Sequence, residues 1–262
     1  MNVRRAFGCR GEPVRLAGGG GASWRCGDVV LKPVTDVEQA IWSADVLSRV
    51  DVSGVVIPPV RGAHARWVVD GWSANRWVEA RPRPNAWLDV IAAGRALHRA
   101  LAGVARPAWM DRADDWWRRA DAVAWKAWPP VGAPELVALV ERLSALRAPV
   151  SARSQVVHAD LCGNVLFDAR GRPIVLDFTP YWRPVEWASA VVVIDAYEWE
   201  GAGAGAFEWL HDVPDADQLL LRAAIFRIAT SAEVATVRGL EPRKVAVHTR
   251  TVELLESRLQ PG

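Results

Sequence analysis

The sequence predicts an α+β fold of two lobes, a small β-rich lobe over residues 1–80 and a larger, mainly helical lobe over 81–262. Three observations carry that reading. Short runs of β-branched and aromatic residues gather before residue 80. A proline-rich break follows at Arg81-Pro82-Arg83-Pro84-Asn85. Beyond it, long stretches place apolar residues at three- and four-residue spacing. Of the 262 residues, 51% are apolar and 24% charged, which is material for a sizeable buried core.

In chain order, the first β-type runs flank Gly18-Gly19-Gly20-Gly21, followed closely by Ser23. A glycine run is most often a hairpin tip, and it also lets backbone N–H groups approach an anion closely. Val29-Val30-Leu31-Lys32 reads as a strand ending on a lysine. Arginine outnumbers lysine 29 to 3, so a lysine kept at a strand end suggests a need for a compact point charge, an exposed surface charge being the plainer alternative. Thr35 followed three residues later by Glu38 forms a capping-box pattern, and Ile41, Ala44 and Leu47 then repeat at helical spacing. Strands are expected at 55–57, 66–69 and 76–78, the last two separated by turn-like Asp70-Gly71 and Ser73-Ala74-Asn75. Past the break, helices are expected at 87–101, 134–146, 187–199, 215–230 and 245–259, and no internal repeat is present.

The most informative stretch is Val156-Val157-His158-Ala159-Asp160-Leu161-Cys162-Gly163-Asn164-Val165-Leu166-Phe167, followed by Val175-Leu176-Asp177-Phe178. An apolar lead-in delivers His158, Asp160 and Asn164 on one loop. A hairpin turning over 168–173 would fold the next strand back and set Asp177 beside Asn164. Phosphoryl transfer asks for such a set: one carboxylate to orient a hydroxyl nucleophile, and hard oxygen ligands for Mg²⁺. Only four asparagines occur in the chain, and one of them falls inside this loop between apolar strand residues. Single His or Asp residues usually deserve a structural reading; the grouping moves the balance toward catalysis.

These segments resemble the aminoglycoside phosphotransferase and choline kinase-like family, which belongs to the wider protein-kinase fold. The resemblance implies ATP- or GTP-dependent, Mg²⁺-dependent phosphorylation of a small-molecule hydroxyl. It implies that Asp160 is the base, that His158 belongs to the same catalytic loop as a group orienting it through backbone contacts, and that Asn164 and Asp177 are metal ligands. It also implies that Lys32 lies on the phosphates with Glu38 as its helix partner, that Gly20, Gly21 and Ser23 lie near the phosphates, and that Glu79 and Ala80 lie at the adenine hinge. Residues 1–80 would then be the nucleotide-binding lobe and 81–262 the catalytic and acceptor-binding lobe. Two departures stand out. The spacing from Asp160 to Asn164 is short for the family, and the segment after Asp177 lacks the Gly-Asp-Pro and downstream Asp that brace the loop in many relatives, leaving Glu186 as a substitute. The alternative function is a nucleotide- or ligand-binding pseudokinase of the same fold.

Other classes find little support. The net charge is +2 and no block of five basic residues occurs, which argues against nucleic-acid or membrane-surface partners. No apolar run is long enough to span a bilayer and no signal-peptide core opens the chain, so a cytoplasmic location is expected. Cys9, Cys26 and Cys162 are scattered without metal spacing, as expected of reduced thiols. Of fifteen tryptophans, Trp109, Trp116, Trp117, Trp125 and Trp128 crowd one segment among Asp111, Asp114, Asp115 and Asp121. They read first as cement for a helical subdomain and second as an acceptor pocket for a cationic amine, for which Trp182 and Trp187 are better placed.

Overall fold

The computed structural model describes residues 3–17, 21–50, 55–112, 114–126 and 128–260. Its N-terminal part is an antiparallel sheet of β1 (Val14–Arg15), β2 (Trp24–Cys26), β3 (Val29–Pro33), β4 (Val68–Val69) and β5 (Trp72–Arg76), ordered β1-β2-β3-β5-β4. Alternation along β3 buries Val29 and Leu31, which pack with Phe7, Val69 and Ala74 in a small core of their own. The flanking helices are α1 (Val3–Ala6) and α2 (Val37–Arg49).

Several expected boundaries move, each for a local reason. Asp70 and Gly71 both take positive φ (49° and 76°), so these two residues alone make the hairpin turn. Ser73-Ala74-Asn75 therefore lies inside β5, and the chain has left the sheet by 77–79. The segment 55–57 joins no strand of this sheet; Val56 instead forms a parallel bridge with Val175. Helix α2 is capped by Asp36, whose carboxylate accepts from the Gln39 N–H at 2.9 Å, one residue later than the Thr35–Glu38 pattern suggested. Cys9 and Cys26 lie side by side with their Cα atoms 5.5 Å apart, within reach of a disulfide.

The C-terminal part holds α3 (Trp87–Leu101), α4 (Trp116–Lys126), α5 (Pro134–Ser144), α6 (Val185–Trp199), α7 (Ala216–Arg238) and α8 (Pro242–Leu259). Inserted between α5 and α6 are β6 (Gln155–His158), β7 (Val165–Phe167), β8 (Pro173–Val175) and β9 (Pro180–Arg183), with β6 paired to β9 and β7 to β8. Residues 187–196 of α6 and 219–230 of α7 are all buried, as helices apolar on every face must be. Helix α7 outruns its expected end and stops at Gly239, whose φ of 85° suits glycine. Gly94 of α3 touches the loop after β6 so closely that a Cβ there would lie 2.4 Å from Leu161 Cδ1. Among the described residues no helix is long and apolar enough to cross a membrane.

Candidate active site

The site is built on the two short strand pairs. Pairing of β6 with β9 delivers His158 at a strand end, and Asn164 closes the loop by donating its backbone N–H to Leu161 O at 2.9 Å. The β7–β8 hairpin turns over 168–173, where the Asp168 carboxylate accepts from the N–H groups of Arg170 (2.8 Å) and Arg172 (2.9 Å). The Leu176 N–H donates to Asn164 O at 2.7 Å, which sets Asp177 beside Asn164. Asp177 itself has a φ of 52°, a left-handed conformation that turns its carboxylate out of the strand line. The segments on either side of the break clasp this hairpin: Val55 and Ile57 bond Val175, and Arg81 exchanges two backbone bonds with Phe167 at 2.8 and 2.9 Å.

His158 is fully buried. Its Nδ1 accepts from the N–H groups of Thr179 (3.3 Å) and Asp160 (3.4 Å), while Nε2 lies 3.1 Å from Leu176 O and donates to it. This imidazole ties the Asp160 turn to the strand carrying Asp177 and holds the two segments in register. Burial lowers its pKa, against the opposing pull of Asp160 and the Leu176 carbonyl. Behind it, His98 Nε2 accepts from the His158 N–H at 2.9 Å. Burial, and then His158, push His98 down to about 3.

Asp160 is held by two neighbours. The Asn164 amide nitrogen donates to Asp160 O (2.8 Å) and Oδ2 (3.1 Å), which leaves the amide oxygen without a hydrogen bond among the described residues. Arg227 of α7 donates to Asp160 Oδ1 at 2.9 Å and to both oxygens of Asp195 on α6, at 2.7 and 2.5 Å. Arg227 and Asp195 are 10% and 7% exposed at their side chains. Burial opposes the charge on Arg227, but the two carboxylates outweigh it and hold the guanidinium charged. Burial pushes Asp195 up to about 6 against the opposing pull of Arg227. The bracing sought at Glu186 is supplied here, by a buried ion pair from two distant helices.

Lys32 pairs directly with Asp177, and the sheet and the hairpin meet at that contact. Glu38 does not join it. Arg112 takes both Glu38 (2.9 Å) and Asp36 (3.1 Å), because the first turn of α2 faces the segment 108–112 and not the end of β3. Ser23 adjoins Trp24, whose partner is Leu31, so Ser23 lies at the Lys32 end of the sheet. Gly21 there has a φ of 70°, and Gly20 lies outside the described residues. Glu79 and Ala80 form no backbone hydrogen bond among the described residues, between Trp77, bonded to Asp28 O, and Arg81, bonded to Phe167.

A cavity of about 350 Å³ opens on Asp160 and Arg227, walled by Trp117 and Trp199 and floored by Gly163 and Ser231. A second, of about 290 Å³, shares Cys162, Gly163 and Glu200 with it and reaches the break at 82–87. Trp187 is fully buried against Trp125, Tyr181 and Phe226, so it cannot meet a substrate. The acids of the tryptophan-rich segment are also committed: Asp121 to Arg183, Asp111 to Arg106, and Asp115 to the N–H of Arg118. Burial raises the Cys162 thiol pKa, in keeping with a packing role. Among the described residues no three His, Cys, Asp or Glu side chains gather as a metal cluster, so any cation here would draw part of its shell from a ligand.

A profile of the phosphotransferase enzyme family (APH) matches residues 34–181, more than half of the chain. The choline/ethanolamine kinase family protein from Mesorhizobium loti superposes with a TM-score of 0.63 at 16% identity, over 95% of this chain and 90% of that one. Choline kinase LicA from Streptococcus pneumoniae gives 0.59 at 13% identity, over 94% and 93%. Amicoumacin kinase hAmiN, solved with AMP-PNP, Ca²⁺ and Ami, gives 0.62 at 13% identity, over 95% and 90%. No curated protein sequence matches the chain.

Proposed function

The chain belongs to the phosphotransferase enzyme family and is a small-molecule kinase, and on that premise we propose that it moves the γ-phosphoryl group of ATP or GTP to a hydroxyl of an amine-bearing small molecule, with Mg²⁺ as cofactor. The observation that carries this reading is the meeting of Lys32 and Asp177, 145 residues apart, together with an Asp160 that opens on a cavity of about 350 Å³. In this reading the sheet lobe, residues 1–80, binds the nucleotide. Gly21 and Ser23 approach its phosphates, and the backbone of Glu79 and Ala80, unbonded among the described residues, meets the base. Glu38 has no part in it.

Asp160 orients the acceptor hydroxyl and takes up its proton as the new O–P bond forms. Arg227 and Asn164 hold that carboxylate in one rotamer, so little of its freedom remains to be lost at the transition state. Asp177 and the Asn164 amide oxygen, unbonded among the described residues, would be the oxygen ligands for Mg²⁺, which would supply neutralisation of charge on the transferring phosphoryl group. Their fit is that of a Mg²⁺ site that relies on phosphate and water for its remaining ligands. Lys32, now on Asp177, exchanges that partner for nucleotide phosphate. The negative lining of Asp160, Asp195 and Glu200, set against the single charge of Arg227, favours a cationic acceptor. A pseudokinase reading gains no support from the pairing of Lys32 with Asp177 and of Asn164 with Asp160.

Thermal unfolding with ATP and with GTP, each with and without Mg²⁺, tests the proposal. A ligand at a hundred times its Kd adds about 2.7 kcal/mol of stability. The rise should need Mg²⁺ and vanish in Asp177→Ala; absence of any rise in the wild type sinks the reading.

A further inference from the structure

Beyond the phosphotransferase machinery, a buried polar chain runs from the cavity wall into the helical core. Ser231 of α7 lines the cavity and is half-buried. Its Oγ lies 2.9 Å from His248 Nε2, and His248 Nδ1 lies 2.9 Å from Glu198 Oε1. Thr251 donates its hydroxyl to the same Glu198 oxygen at 2.6 Å. The side chains of His248 and Glu198 are wholly buried, and the edge of Trp199, itself a cavity wall, abuts the imidazole at 5.4 Å.

Stability alone does not explain this chain. Glu198 Oε2 is buried without a partner among the described residues, an expensive arrangement that apolar packing would avoid. The hydrogen-bond inventory gives it a direction. Glu198 Oε1 already accepts from Thr251, and Nδ1 of His248 is the donor that completes its pair of bonds. With the one imidazole proton on Nδ1, Nε2 is an acceptor, and Ser231 donates its proton to it. What Ser231 then offers to the cavity is lone pairs only. Its place along α7 adds a distance. Ser231 lies four residues after Arg227 on the same helix face, about 6 Å away between Cβ atoms, and Arg227 is the group that touches Asp160.

We propose that Ser231, its hydroxyl oriented by the buried His248–Glu198 pair, determines acceptor specificity by accepting a hydrogen bond from a donor group about one helical turn from the reacting hydroxyl. The proposal rests on the phosphotransferase reading. It selects bifunctional acceptors, with a hydroxyl at one end and an ammonium or second hydroxyl at the other, over simple alcohols.

The test uses ω-amino alcohols of stepped length and the matching n-alkanols as acceptors, with ATP and Mg²⁺. In the wild type an amino alcohol long enough to reach Ser231 should exceed its alkanol in kcat/KM by roughly tenfold or more, the worth of a hydrogen bond to a charged donor. Ser231→Ala should collapse that ratio through the acceptor KM and leave the KM for ATP unchanged, while Ser231→Thr keeps it. A ratio that survives in Ser231→Ala overturns the proposal. No turnover of any acceptor by the wild type takes down the phosphotransferase reading and this inference with it. A second arm needs no turnover: imidazole ¹⁵N spectra should show, for the histidine whose signals move in Ser231→Ala, a protonated Nδ1 and a bare Nε2. A protonated Nε2 reverses the polarity of Ser231 and overturns the proposal by itself.

Discussion

Replacing Arg227 by Met would expose how much of this fold is organised around one buried cation. The substitution removes three hydrogen bonds to carboxylates, two to Asp195 and one to Asp160, and keeps most of the side-chain volume. Asp195, 7% exposed, is then left as a buried charge without its counter-ion. Breaking a buried pair from one side costs about 3–5 kcal/mol, which for a chain of this size lowers Tm by roughly 6–20 °C. The double variant Arg227→Met with Asp195→Leu removes the orphaned charge as well. It should recover about 2 kcal/mol or more of the loss, a non-additivity expected of groups in direct contact. Urea melts of the wild type, both single variants and the double close the cycle. If the double variant is destabilised by the sum of the singles, Arg227 and Asp195 are not coupled and the bracing of Asp160 has been misread. Turnover should remain low in the double variant even as stability returns, because Asp160 has still lost its anchor.

Asp160→Asn should reduce kcat by about 10²- to 10⁴-fold while the nucleotide-induced rise in Tm is kept; loss of that rise would reassign Asp160 to nucleotide binding. Lys32→Ala should weaken the same rise, with unliganded stability changed by no more than about 1 kcal/mol, since the side chains of the Lys32–Asp177 pair are 38% and 39% exposed. Glu38→Ala should leave the nucleotide response untouched, and a response as weak as that of Lys32→Ala would restore the pairing the structure denies. His98 sets a pH dependence: folding lowers its pKa from 6.5 to about 3, so below pH 6.5 the unfolded chain takes up a proton that the folded one refuses. Its share of stability is present above that range and declines by about 2 kcal/mol between pH 7 and 5. Urea melts of wild type and His98→Gln across that interval should differ in slope by this amount, and parallel curves would refute the assignment.

The parts visible in the sequence were those that local chemistry determines. The hairpin over 168–173 needs only a turn between two β-type runs, and it alone carries Asp177 to Asn164. Helix α3 spans Trp87–Leu101 as its periodicity indicated. Apart from the shifted element boundaries, the misses at the site are contacts between distant segments. Glu38 and Lys32 are near in sequence and so invited pairing, yet α2 and β3 face different neighbours and each charge found a partner further away. Asp195 and Arg227 did carry a signal, as lone charges inside Val191-Val192-Val193-Ile194-Asp195-Ala196 and Ile225-Phe226-Arg227-Ile228. A charge in an all-apolar helix needs a buried partner, and each of these implied the other. The tryptophan segment misled because aromatic residues fill cores and line pockets alike; Trp117 and Trp199 reached the cavity, and Trp187 did not.

The contact of Gly94 with Leu161 constrains how this sequence can drift. Alanine would suit the middle of a helix better by up to about 1 kcal/mol, yet its methyl carbon would fall 2.4 Å from the leucine. The atom in the way is the tip of a buried side chain, so a carbon gained at 94 requires Leu161 to turn within the core beside Asp160. Positions 94 and 161 are therefore coupled, a bulkier residue on the helix being answered best by a smaller one on the loop.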